Sequence, residues 1–390
     1  MGRCAWFWIE FPAKLHTRNK EKSLKCESRL TITTNQFQTI GYHCDMSTSF
    51  SSASSESSVT EVRNFFPAGL LGVVICIFSA LVFLGAATAA AVQRIFDADQ
   101  SIARAVVWYV GAPLLLGISL VVFDAIVLAP KRRGERTVIT ENIDYSKVTV
   151  VLTAYNDEAS IGQSVLDFIE NDRVQRVIVV DNNSSDKTSE VASNAGATVV
   201  IELSPGYGNC VYRALEEGSE YKDTNAVVLC EGDMTFRASD LDKLIAYLPH
   251  GDVVNGTRIV EQLRNPGTQL TSFMYFGNFF TAKLLEYKYL GRGTISDVGT
   301  TYKVCKSDFL RTNLSNYDRN VNLEFNAHFL DVTMRNSYRL IEAPITFHPR
   351  IGESKGGNVS NARALVVGLR MMLGIIFGWK ILSTGEPDNE

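Results

Sequence analysis

Apolar positions follow two different patterns along this chain. From Phe65 to Val92 no charged residue interrupts a run of Leu, Val, Ile, Phe and Ala, and a second uncharged run, Ala105 to Phe123, continues past Asp124 to Pro130. At ~1.5 Å per residue the first run is ~40 Å long, more than a ~30 Å hydrocarbon core requires. The pair predicts two transmembrane helices over about 65–92 and 105–130. Two buried helices of a soluble core are the alternative, but such helices rarely lack charge over so many residues. Gln93 to Arg104 is too short for a domain, so the spans form a hairpin. Lys131, Arg132, Arg133 and Arg136 follow the second run, and positive flanks stay cytosolic, which places both termini on that side.

From Lys147 the pattern becomes short β-branched runs alternating with amphipathic stretches. VTVVLTAY (148–155), VQRVIVVD (174–181), ATVVIEL (197–203) and NAVVLCEGD (225–233) read as strands. Helices are expected over Glu158–Glu170 and Asp186–Ala195, and from about Gly208. This alternation means βαβ units, right-handed crossovers and a mostly parallel sheet flanked by helices. Polar residues gather after each strand: Tyr155-Asn156-Asp157-Glu158, Asp181-Asn182-Asn183-Ser184 and Glu231-Gly232-Asp233. Ligands of open α/β sheets sit outside the carboxyl ends of the strands, so three such clusters point to one site.

Composition narrows the classes further. Residues 1–64 show no sustained period and contain a near-continuous serine tract, Ser47 to Ser58, which reads as disorder. Across 390 residues the net charge is −4, so no global basic field exists for nucleic acid. Seven scattered cysteines without a CxxC pair argue against a disulfide scaffold or structural zinc. Gly206-Tyr207-Gly208 suggests a dinucleotide loop, but it follows the third strand and the third glycine position is Val211. Cys210 and Cys230 have no neighbouring histidine base and read as inert buried thiols.

Seven segments together carry a family resemblance. VVLTAYNDEASI (150–161), VVDNNSSDKT (179–188), GYGNCVYRALEEG (206–218), CEGDMTF (230–236), VVNGTRI (253–259), SDVGTTYKV (296–304) and EAPITFHPRIGESK (342–355) occur in this order. The stretch resembles a family 2 glycosyltransferase of GT-A fold and is similar to the dolichyl-phosphate mannosyl- and glucosyltransferases. The resemblance implies a GT-A catalytic domain over 147–358 that binds a nucleotide sugar. It implies donor contacts from Tyr155, Glu158, Asp181, Gly206, Arg258, Arg350 and Lys355. CEGDMTF stands where the family carries its DxD-type metal motif, with Glu231 in place of the usual Asp.

The residues themselves fit that chemistry. A nucleotide-sugar transferase must neutralise a diphosphate leaving group, and carboxylates holding Mg²⁺ or Mn²⁺ do so. Glu231 and Asp233 flank a small glycine and are the expected metal ligands, with Asp233 central to catalysis. Arg258, Arg350 and Lys355 supply further positive charge for phosphate. An anionic phosphate acceptor needs almost no general base, whereas an alcohol needs a carboxylate; Asp297 is the first candidate and Glu324 the second. His328 falls near a place where relatives often have an acid. The stretch 360–383 reads as an interfacial amphipathic helix, with Arg370 too costly for a bilayer centre and Trp379 and Lys380 at headgroup level.

The expectation is a membrane-anchored, multi-pass inverting hexosyltransferase, with its catalytic domain facing the cytosol, at the endoplasmic reticulum. Its partners are a nucleotide-sugar donor (GDP-mannose or UDP-glucose), a lipidic acceptor and the membrane, not nucleic acid. Polyprenyl (dolichyl) phosphate is the favoured acceptor. Two alternatives stay open: glycosylation of a hydroxyl on a lipophilic small molecule, and an inactive membrane scaffold on the same fold.

Overall fold

The computed structural model describes residues 68–132, 138–352 and 360–382. The region 1–64, Arg133 and Arg136 of the basic flank, and Lys355 lie outside these residues. Helices α1 (Ala68–Ile95) and α2 (Ser101–Lys131) are long and apolar enough to cross a membrane by length and composition. Both run further into the connection than the charge pattern suggested, shortening it to 96–100. The reason is local: Arg104 is exposed and donates to Gln100 one turn back (Nη2–Oε1, 2.9 Å), so a charge is tolerated in the first turn. The helices touch at Gly72 and Gly117, where a Cβ on Gly72 would come within 2.5 Å of the Gly117 carbonyl. Small residues permit this backbone approach.

The portion that follows is built on seven strands: β1 (Val148–Ala154), β2 (Val174–Asp181), β3 (Thr198–Ile201), β4 (Ala226–Glu231), β5 (Val253–Thr257), β6 (Lys303–Lys306) and β7 (Leu340–Pro344). Their order in the sheet is β3-β2-β1-β4-β6-β5-β7. β1 to β4 pair in parallel, with Val150 opposite Val177 and Val228, and β5 pairs in parallel with β7. β6 runs antiparallel to both its neighbours, making the sheet mixed but mostly parallel, as expected. Every residue of β1 is buried, as its uninterrupted apolar run requires of a strand covered on both faces.

Intervening helices cover both faces. Val148, Val150 and Leu152 share one core with Phe168 of α3 (Ile161–Ile169) and with Leu241 and Leu244 of α6 (Leu241–Tyr247). Val151, Val227 and Leu229 share another with Leu215 of α5 (Tyr207–Glu220) and Phe325 of α9 (Phe325–Arg335). Helices α4 (Thr188–Asn194) and α8 (Ser307–Asn313) complete these layers. The expected strands and helices are all present, trimmed by a few residues where strand-end polar residues turn away from the ladder.

Two helices differ from expectation. Helix α7 (Ser272–Lys288), capped by Thr271, was not expected; its apolar residues show no single stripe. The C-terminal helix α10 runs over Asn361–Phe377, capped by Ser360. Beyond it the chain turns at Gly378, whose φ of 98° suits glycine, and Trp379 folds inward. Trp379 is 4% exposed and donates Nε1–H to Asp331 Oδ2 at 2.8 Å, so it is a core residue and not a headgroup anchor. Burial of a large ring with a satisfied N–H outweighs an interfacial position.

Candidate active site

The polar strand ends meet one cavity of about 470 Å³. Its floor carries Tyr155 and Asp157 after β1, Asn182 after β2, Gly206 and Tyr207 at the start of α5, and Glu231 and Asp233 at the end of β4. Arg258 and Arg350 complete this half. Glycine is required where α5 begins: Gly206 has a φ of 114°, and a Cβ on Gly208 would lie 1.9 Å from the Val321 carbonyl. That contact seats α5 against the loop before α9.

Glu231 and Asp233 come together as expected. Glu231 Oε1 accepts from Thr301 Oγ1 at 2.5 Å, while Asp233 Oδ1 accepts from Thr235 N at 3.0 Å and Thr235 Oγ1 at 2.6 Å. Burial, then the neighbouring Asp233 charge, push Glu231 up to about 7 against the Thr301 hydrogen bond and Arg350. Arg350 lies between two acids, with Nη2 3.1 Å from Asp157 Oδ1 and Nη1 3.0 Å from Asp233 Oδ2. The second contact is ionic without hydrogen-bond alignment, and Asp233 Oδ2 is buried without a hydrogen bond. Among the described residues no group of three or more His, Cys, Asp or Glu converges as a complete metal cage. Two mutually repelling carboxylates, Glu231 half-buried and Asp233 buried with one such oxygen, fit a divalent ion whose other ligands come from outside the protein.

Asp297 is placed differently from its expected role. It is 1% exposed and does not line the cavity. Arg258 grips it with two side-chain bonds, Nε–Oδ2 at 2.7 Å and Nη2–Oδ1 at 2.8 Å, and Asn278 Nδ2 donates to Oδ1 at 2.8 Å. Burial alone would raise its pKa, but Arg258 and these hydrogen bonds hold it at about 2. A carboxylate so saturated and so acidic is a poor proton acceptor, and the expectation of Asp297 as a base does not fit this packing. Glu324 is also withdrawn: it is 2% exposed and pairs with Arg370 of α10 at 2.8 Å. This pair explains how Arg370 is accommodated in an apolar helix. His328 is a core residue, accepting from Asp318 N at 2.8 Å and pushed down to about 4 by burial.

Among the expected donor contacts, Tyr155, Gly206, Arg258 and Arg350 line the cavity. Glu158 and Asp181 do not. Glu158 accepts from Lys187 N at 2.9 Å, and Asp181 is occupied by Ser184 and Ser189 hydroxyls. Lys355 lies outside the described residues. The residue missed was Asp157: it accepts from Tyr155 N at 3.0 Å, and its other oxygen faces Arg350. Its place in the first polar cluster was the only signal.

The cavity continues between α7 and α10. There its walls are mainly apolar, with Leu270, Phe273, Met274, Leu365, Val367 and Met371 beside the polar Asn278, Thr281 and Arg363, and Gly277 and Gly368 line the same half. A Cβ built on either glycine meets nothing within 4 Å. The outer faces of the same helices expose Phe276 (67%), Val366 (55%) and Phe377 (56%). α7 also reaches the hairpin: a Cβ on Gly69 of α1 would collide with the Tyr287 hydroxyl of α7 and with Asp124 of α2.

The model of the family Glycosyl transferase family 2 matches residues 149–310. Protein RfbJ of Shigella flexneri is 34% identical over 113 residues, 28% of this chain and 84% of that protein. The dolichyl-phosphate hexose transferase of Haloferax volcanii is 26% identical over 212 residues, 54% of this chain and 87% of that one. An uncharacterized glycosyltransferase of Mycobacterium tuberculosis is 42% identical over 112 residues, 28% of this chain. The chain spans about half the length of such first relatives, 48% in that case. Among solved structures, glucosyl-3-phosphoglycerate synthase of M. tuberculosis, in complex with Mn²⁺, UDP and phosphoglyceric acid, aligns with a TM-score of 0.42. That alignment has 18% identity and covers 63% of this chain and 80% of that one. The chain belongs to glycosyl transferase family 2.

Proposed function

We propose that this protein is a membrane-anchored inverting hexosyltransferase that moves a sugar from a nucleoside diphosphate to a polyprenyl phosphate. One observation carries the acceptor reading. Among the described residues lining the cavity, the carboxylates are Asp157, Glu231 and Asp233, all at the strand ends, while the half between α7 and α10 is mainly apolar and its polar members, Asn278, Thr281 and Arg363, are not carboxylates. A long lipid fits that cleft, and a nucleophile arriving there meets no carboxylate to take its proton. A phosphate oxygen is already anionic at neutral pH and needs none. It attacks the anomeric carbon as the bond to the nucleoside diphosphate breaks, inverting the centre.

In this reading Glu231 and Asp233 hold Mg²⁺ or Mn²⁺, which when bound supplies Lewis-acid neutralisation of the departing diphosphate. Arg350, now shared by Asp157 and Asp233, binds a phosphate oxygen with its planar fork. Asp297 fixes Arg258 at the cavity wall, acting on its orientation and not as a base. The hairpin α1–α2 anchors the chain, and the exposed apolar faces of α7 and α10 lie in the membrane interface beside it. The relative named for dolichyl-phosphate hexose transfer supports a lipid phosphate over a free alcohol.

The test is a donor panel, GDP-mannose and UDP-glucose first, in membranes with and without added dolichyl phosphate, followed by analysis of the lipid product. The reading expects a phosphate-linked sugar lipid that depends on the added acceptor. A sugar ether-linked to a hydroxyl lipid would replace it with the alcohol reading. Absence of both transfer and donor hydrolysis would favour the scaffold.

A further inference from the structure

Lys303 of β6 is fully buried, and no step described above uses it. It stands in the central sheet opposite Leu229 of β4 and Asn255 of β5. Its ammonium is held by neutral oxygens, the Thr300 carbonyl and Asn326 Oδ1, the latter at 2.9 Å. Burying a lysine on neutral partners is costly unless its charge serves a neighbour.

The neighbour is reached through three further groups. Lysine only donates, so the Asn326 amide must turn its oxygen to Lys303 and its NH₂ the other way. That NH₂ donates to Tyr207 OH at 2.9 Å and to Thr301 Oγ1 at 3.2 Å. Tyr207 OH and Thr301 Oγ1 are 2.5 Å apart, and Thr301 Oγ1 donates to Glu231 Oε1 at 2.5 Å. A cation at one end and a carboxylate at the other give every proton in the chain the same direction. Such chains polarise each member in turn.

We propose that Lys303 and Asn326 are positioning residues for the metal-binding carboxylate: they set the direction of a buried hydrogen-bond relay through Tyr207 and Thr301 that fixes Glu231. The proposal rests on Glu231 and Asp233 as the metal ligands. Ligand carboxylates are oriented by such partners, and their loss weakens metal binding by about 10–100-fold. Removing the Lys303 charge frees the Asn326 amide to flip, after which Thr301 no longer has one preferred proton direction.

The experiment measures Mn²⁺ binding, by electron paramagnetic resonance of free Mn²⁺, to the full-length protein in nanodiscs with nucleotide sugar present. Lys303→Met and Asn326→Asp should each weaken Mn²⁺ binding by about tenfold or more. At saturating Mn²⁺ their kcat should return close to wild type, a split that a generally loosened fold would not give. Asn326→Asp keeps an acceptor for Lys303 at nearly equal size but removes the donor to Tyr207 and Thr301, so it decides the matter if Lys303→Met fails to fold. Unchanged Mn²⁺ affinity in either folded variant, with affinity lost in Asp233→Ala, overturns the relay and leaves the metal reading standing. Unchanged affinity in Asp233→Ala overturns the metal reading and the relay with it.

Discussion

At the strand-end half of the cavity Asp157, Glu231, Asp233 and Arg350 are each fixed by charge or by short hydrogen bonds. The half between α7 and α10 has mainly apolar walls and two glycines facing open space. Behind those walls Glu324 pairs with Arg370 and Asp331 accepts from Trp379, which ties α10 to the core. Under the proposed function the difference follows from the two ligands: a charged, water-soluble donor asks for fixed charges, and a lipid asks for an apolar cleft.

The largest effect is expected at the strand ends. Asp233→Ala should lower transfer by at least about a hundredfold, in line with losing ~3 kcal/mol of charge stabilisation, and a chelator should do the same. Full activity in excess chelator would remove the metal from this half. In the helical half, Gly368→Phe fills the cleft and should reduce transfer to a lipid acceptor by about tenfold to a hundredfold through misplacement. Donor affinity and donor hydrolysis, measured on the same preparation, should stay at wild-type levels. If donor affinity falls in parallel, the two halves are not separate.

Asp297→Asn tests the boundary between them. With a phosphate acceptor, transfer should fall by less than about tenfold, whereas loss of a true base would cost ~10²–10⁴-fold. Stability should respond more than activity, because Arg258 is left buried and uncompensated, a loss of about 3 kcal/mol. The sign with pH follows from a folded pKa held at about 2, below the ordinary carboxyl value. The pair's contribution is present at neutral pH and disappears as pH falls from about 4 toward 2, so acid unfolding of the Asn variant should lack that component. The smallest effect belongs to Gly277→Ala. A mid-helix glycine costs about 1 kcal/mol relative to alanine, so the variant should melt slightly higher with transfer unchanged.

The strand-end half was legible because its polar residues follow runs such as VTVVLTA that have no surface of their own. A carboxylate placed there has either a cap or a ligand to serve. Which of the two was not legible: Asp157 and Glu158 are adjacent, and only the arrival of Arg350 from the far end of the chain separates them. Asp297 and Glu324 were misread for the same reason, since their partners Arg258 and Arg370 are remote in sequence. α7 escaped notice because its apolar residues lie on more than one side: Phe273, Phe276 and Phe280 form an exposed face, while Met274, Ala282 and Leu285 are buried on another. A helix that faces a core, a cleft and an apolar environment on different sides leaves no single stripe to read.

Under the proposed function, the exposed rings of α7 and the aliphatic face of α10 also set the dimensionality of the search for acceptor. A cleft opening between two helices that lie in a bilayer meets its acceptor by lateral diffusion in a sheet, while the donor arrives from the volume above. Acceptor saturation is then governed by moles of acceptor per mole of lipid. Diluting the vesicles with buffer leaves that ratio, and the rate per enzyme at saturating donor, unchanged. Fusing them with acceptor-free lipid lowers both.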